Sequence, residues 1–176
     1  MQEFWIQAIG FLALIMYLIS YQFKSNRGLF AFQLLGALLF ALQYVLMGAT
    51  SGAASQVIKV ARSLLLLKYN DWLWVRSKVP MLFFCGLYLL STVLTWSGPL
   101  GLIILVASVV STIAFWTNNA RTIRVACLVC ICPCWLIYGT FTGSLGSMFN
   151  EIFTIGSILI SIHRFGWKAL GEPQHK

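Results

Sequence analysis

Seven apolar runs, each 17 to 20 residues long and joined by short connections, decide what this chain can fold into. They cover residues 4–22, 29–47, 52–69, 80–96, 99–117, 124–141 and 144–163. About 20 apolar residues in a helix cross a hydrocarbon layer roughly 30 Å thick. The runs are continuous rather than alternating, which excludes a β-barrel. Only 9% of the 176 residues are charged, where a soluble domain carries roughly a quarter. The expected fold is therefore an all-α integral membrane protein with seven transmembrane helices and no soluble domain. The start, Met1 to Trp5, has no basic n-region, so the first run is expected to remain as a helix.

The formal charge of +8 does not form one patch, so no nucleic-acid partner is implied. The basic residues fall in every second connection: Lys24 and Arg27; Lys68, Arg76 and Lys78; Arg121 and Arg124; then Arg164, Lys168 and Lys176 in the tail. The connections at Gly48–Gly52, Ser97–Pro99 and Gly139–Gly143 have none. Basic loops stay on the cytoplasmic side, which places the N-terminus outside and the C-terminus inside. Trp5, Trp72, Trp74, Trp96, Trp116 and Trp167 are expected at headgroup level. The stretch Tyr69–Arg76 reads as an interfacial segment, His163 as a helix end and His175 as a solvated tail residue.

An internal echo organises the helices. Gly48 and Gly52 are followed by Gly139 and Gly143 at an offset of 91, which sets Tyr44 on Trp135, Lys59 on Asn150 and Val60 on Glu151. The cap Tyr21–Arg27 resembles Trp116–Arg121. Two three-helix units, 1–70 and 99–165, joined by a linker helix at 80–96 and followed by a cytoplasmic tail at 166–176, would share one orientation. That makes them parallel repeats, a plan in which solute sites lie near the midplane between the units.

Lys59 and Glu151 stand out as ionisable residues inside apolar runs. Lys59 is nine residues from Lys68, about 13 Å along a helix, and Glu151 eight from Gly143, about 12 Å, so both fall near mid-depth. A charge there faces a partner or water rather than lipid. Either the two line a site for a polar solute, or they neutralise each other and lock the helices together. Arg62 shares the Lys59 face at i+3, as Ser55 and Gln56 do at i−4 and i−3. Arg62 is expected to snorkel to the interface, to pair with Glu151, or to join the site. Tyr44 and Trp135 could stack on a solute or simply pack; Asn150 could line the site or bond between helices. Pro133 is expected to bend its helix.

Cys127, Cys130, Cys132 and Cys134 crowd one run, with Cys85 apart. Structural zinc draws on separated Cys pairs, so these read as packing residues and no cofactor or metal is implied. No phosphate loop, metalloprotease motif or nucleophile–base arrangement is present, and no enzyme activity is expected. The expected partners are a small polar solute and the lipid bilayer, with self-association left open.

The glycine turn at Gly48–Gly52, the Ala61-Arg62-Ser63 run, the segment Ser111–Trp116 and the Gly143–Gly146 turn resemble the bacterial inner-membrane YgjV family across nearly the whole chain. The 3+1+3 plan is more distantly similar to SWEET sugar transporters of the PQ-loop group and to PnuC vitamin-precursor transporters. That resemblance implies a SWEET-like transporter. A tryptophan on helix six and an asparagine on helix seven line the SWEET site, matched here by Trp135 and Asn150. Lys59 stands where SWEETs carry a second asparagine, and the zwitterionic lining of Lys59 and Glu151 points to an anionic or zwitterionic solute, or to proton coupling through Glu151, more than to a neutral sugar.

Overall fold

The computed structural model describes residues 2–23, 25–69, 71–96 and 98–166. The expectations for Lys24, Trp167, Lys168, His175 and Lys176 lie outside them. Among the described residues there is no strand. The helices are α1 (Gln2–Tyr21), α2 (Asn26–Leu46), α3 (Thr50–Leu67), α4 (Lys78–Leu94), α5 (Pro99–Trp116), α6 (Ala120–Thr142) and α7 (Leu145–Phe165), with a 3₁₀ turn at Leu73–Arg76. Five of them, α1, α2, α5, α6 and α7, are long and apolar enough to cross a membrane. α4 is apolar but has 17 residues, and α3 carries Ser, Gln, Lys and Arg within its 18.

Local chemistry sets the ends. Pro99 opens α5, where its missing N–H costs nothing. Asn119 caps α6 by accepting from the N–H groups of Arg121 and Thr122 at 2.9 and 3.2 Å. The cap starts this helix at Ala120 rather than at residue 124. Gly143 closes it at φ +71°, the left-handed conformation that suits glycine. Inside α6 a π-helical turn, Cys127–Ile131, precedes Pro133. Proline cannot supply the next α-helical hydrogen bond, and the wider turn accommodates it.

The two ends of the bundle are tied separately. At one end Arg27, after α1, pairs with Asp71, after α3. The Trp116 indole, closing α5, donates to the carbonyls of Val75 and Ser77 at 2.9 and 3.1 Å. At the other end the Tyr138 hydroxyl, late in α6, accepts from the Gly52 N–H and bonds Ser51, both at 3.1 Å, at the start of α3. The Trp116 bonds correct one expectation: this ring is buried, while Trp5, Trp72, Trp74 and Trp96 are exposed. An indole with two carbonyl acceptors is held inward.

Three landmarks of the structure are spaced differently from the offset of 91. α1 and α5 end at Tyr21 and Trp116, α3 and α7 begin at Thr50 and Leu145, and the left-handed glycines are Gly48 and Gly143. Each pair differs by 95. Gly139 lies within α6, where a Cβ would come within 3.2 Å of Ser147 Oγ and 3.3 Å of the Met148 backbone. It serves close packing rather than a turn. The offset of 95 sets Ser55 on Asn150, Gln56 on Glu151 and Lys59 on Thr154.

α1 packs on α2 and α7, and it meets α7 with Gly10 against Gly146. A Cβ built on Gly146 would stand 2.9 Å from Gly10 Cα, a backbone atom that cannot swing aside. Gly146→Ala should therefore cost about 1–3 kcal/mol through overpacking. Gly156, further along α7 with nothing within 4 Å of its Cβ, should tolerate alanine or gain slightly. Melting in detergent checks both; equal melting of the two variants would refute the glycine contact.

Candidate functional site

α3 and α7 are amphipathic in the sense opposite to a soluble helix. On α3 the residues facing inward are Ser51, Ser55, Gln56, Arg62 and Ser63, while Val57 and Leu64 face out. On α7 Ser147, Asn150, Glu151, Thr154 and Ser157 face inward and Ile152, Phe153 and Ile160 outward. Each stripe repeats every three or four residues, so one helical face collects the polar groups. α3 packs on α2, α4 and α5, and α7 on α1 and α6. Aromatic side chains from α1, α2 and α6 lie among the two polar stripes.

Lys59 is half-buried, its Nζ 4.7 Å from the centre of the Tyr17 ring and 5.9 Å from that of Trp135. Ring faces attract a cation, worth about 0.5–2 kcal/mol. Trp135 belongs to a cluster with Tyr44 and Tyr138, the three centroids 5.8 to 6.3 Å apart. The aromatics set equivalent at an offset of 91, Tyr44 and Trp135, thus touch each other. Glu151 is buried and accepts a hydrogen bond from Asn150 Nδ2 at 2.9 Å. Asn150 therefore bonds its neighbour on the same helix. No ion-pair contact within 4 Å joins Lys59 and Glu151. The contact pair allowed as a lock is absent.

Arg62 corrects a second expectation. It neither snorkels outward nor pairs with Glu151. It is fully buried, with Nη1 donating to Thr112 Oγ1 at 2.8 Å and the guanidinium 5.0 Å from the centre of the Phe115 ring. α5 approaches α3 here and supplies both contacts, which turns the side chain inward. Its Nε and Nη2 have no hydrogen-bond partner. The same holds for Gln56 Oε1, Tyr44 Oη, Asn150 Oδ1, Thr154 Oγ1, Tyr17 Oη and both amide atoms of Gln33, all buried.

Three of these polar residues, Tyr17, Gln33 and Thr154, and the bonded Tyr138 beside them, are not among the sequence candidates. Gln33 had a usable signal, an amide inside the apolar run Phe30–Gly36. Thr154 sits three and four residues beyond Glu151 and Asn150, on their face. Tyr17 and Tyr138 had no signal to separate them from ordinary packing tyrosines.

Arg124 is a different kind of buried cation. It is fully buried, and donates from Nε to Ser161 Oγ at 3.0 Å, from Nη1 to the Ala120 carbonyl at 3.0 Å, and from Nη2 to the Tyr21 and Phe23 carbonyls at 3.4 and 3.5 Å. Each of its nitrogens has an acceptor, so it ties α1, α6 and α7 together and is no part of the site. Cys127 and Cys132 are buried, Cys85, Cys130 and Cys134 partly so, and all five are free thiols. Among the described residues no three His, Cys, Asp or Glu side chains group closely enough to hold a metal ion.

A helical bundle with an apolar exterior and a polar, partly unpaired interior defines a multi-pass membrane protein. The sequence pattern of the Imp-YgjV family, bacterial inner membrane proteins, matches residues 4–169. The chain belongs to that family. No curated protein and no solved structure matches it.

Proposed function

We propose that this protein carries a small polar solute across the bacterial inner membrane, through a site lined by Lys59, Glu151, Asn150, Trp135, Tyr44, Arg62 and Gln56. The observation that carries the reading is the set of buried polar atoms without partners around charges that do not pair. An unsatisfied buried donor or acceptor costs about 1–3 kcal/mol, and buried polar groups in proteins are nearly always bonded. A closed scaffold has no reason to keep so many. A solute or water reaching these atoms satisfies them.

In this reading all seven helices span the membrane, N-terminus outside and C-terminus in the cytoplasm. α1–α3 and α5–α7 are two three-helix units joined by α4, a 3+1+3 plan of SWEET type. The recurrence of two helix ends and of the left-handed glycines at 95 supports it. So do the contacts across the units: α1 packs on α7 and α5 on α3, the two pairings that an exchange of the units interconverts. The ties at each end of the bundle group the basic connections together, as the orientation requires. The units rock about the site to open it to either side, and the protein is a carrier rather than an enzyme.

The test is a thermal-shift screen of the purified protein against polar metabolites, followed by uptake of any hit into proteoliposomes. A ligand that binds only the folded state stabilises it by about 2.7 kcal/mol at 100 times its Kd. At least one solute should raise the melting temperature and enter vesicles faster than into protein-free controls. A broad library with no shift and no uptake would reject the carrier.

A further inference from the structure

We propose that Arg62 recognises a carboxylate on the transported solute, through the edge of its guanidinium formed by Nε and Nη2. The inference rests on the carrier reading and names the solute class. The three nitrogens of Arg62 are used unequally. Nη1 is spent on Thr112 Oγ1 at 2.8 Å. The Thr112 hydroxyl donates its own proton to the Ser108 carbonyl, also at 2.8 Å, so its lone pairs face Arg62. Phe115 covers the guanidinium at 5.0 Å from Cζ, and Phe30 packs on Phe115 with centroids 5.7 Å apart. Thr112 and Phe115 hold the group in one orientation.

Nε and Nη2, both buried and without partners, make up one edge of the planar group. Two parallel N–H bonds from such an edge match the two oxygens of a carboxylate. Leaving them unmet is costly, because a buried charged donor loses more than a neutral one. Lys59, one turn away on α3, adds a second cation and Glu151 the single carboxylate. Two formal positive charges against one negative leave one to be balanced. A monocarboxylate supplies that charge, whereas a phosphate dianion oversupplies it. Arg124 does not enter this balance, since serine and backbone oxygens occupy its nitrogens.

The experiment compares acids with their amides, which match in shape and lack the charge. Propionate, lactate and benzoate, their amides, and inorganic phosphate are each added to the wild-type protein and melting is followed. At least one acid should shift the melting temperature while its amide does not. R62K keeps the charge and loses the fork; it should weaken the acid about tenfold or more and erase the preference over the amide. T112V, nearly isosteric, removes only the orienting hydroxyl and should weaken the acid severalfold, which keeps the test open should R62K not fold. Equal shifts by acid and amide, a shift by phosphate alone, or an undiminished acid response in R62K overturns the inference. If no acid shifts the protein but a neutral or cationic solute does, the carboxylate assignment fails and the carrier stands. If no solute of any class acts, both fail.

Discussion

Exchanging Lys59 for methionine and Glu151 for leucine together should leave a folded protein that has lost its solute. Both side chains lie inside the bundle, Lys59 over the rings of Tyr17 and Trp135 and Glu151 beside Asn150. No ion-pair contact joins them. Either single change leaves the other charge inside with less compensation. Because the two are not in contact, the loss should be smaller than the roughly 3–5 kcal/mol of breaking a buried contact pair. The double change removes both charges, and apolar replacements of buried pairs are often neutral or stabilising. Melting of the double variant should therefore equal or exceed that of the wild type. Solute binding should behave in the opposite way. Losing a buried charged contact costs about 2–5 kcal/mol of affinity, or roughly 30-fold and more at 1.4 kcal/mol per tenfold. Stable melting with lost uptake is the signature of a site. Unchanged uptake in the double variant would remove Lys59 and Glu151 from the path.

Arg124→Met should be the most destabilising single change at the basic end of the bundle. It strands the Tyr21 and Phe23 carbonyls and the Ser161 hydroxyl and removes a second bond to the Ala120 carbonyl, contacts contributed by three helices and the segment after α1. Hydrogen bonds to a charged group contribute about 1.5–3 kcal/mol each, and two of these are long, so the total should be about 3–5 kcal/mol. Lysine at this position cannot span four acceptors and should recover only part. Arg27→Met in the same layer is the comparison. Arg27 pairs with Asp71 at side-chain exposures of 52% and 44%, and exposed pairs contribute about 0–1 kcal/mol. Unfolding in mixed detergent separates the two arginines. Equal losses would mean that Arg124 is not the tie described.

The contrast between these arginines shows where the sequence is legible. Arg27 and Arg124 look alike in it, each a basic residue at the edge of an apolar run. One is exposed and the other buried because Arg124, one turn into α6, points at acceptors from α1 and α7, while Arg27, in the first turn of α2, reaches Asp71 at the rim of the bundle. The site divides in the same way. Lys59, Glu151, Gln56 and Asn150 are visible because a polar residue in an apolar run needs a reason. Gln33 met that criterion too. Arg62 is equally visible, but its direction depends on Thr112 and Phe115, fifty residues away. The spacing of the glycines pointed to 91 because glycine marks both turns and close contacts. Two helix ends and the left-handed glycines, which tell the two apart, recur at 95.

From the amino acids alone came the solvent, the seven helices with their ends to within four residues, and which residues are ionisable inside apolar runs. Each of these is a running property of the chain, set by hydropathy and by neighbours within a turn or two. Which nitrogen of Arg62 stays free, whether Lys59 touches Glu151, and which tyrosines face inward were decided only by the packed bundle. Those outcomes depend on contacts between helices far apart in sequence, where a rotation of one helix by a single residue, about 100°, exchanges an inward face for an outward one.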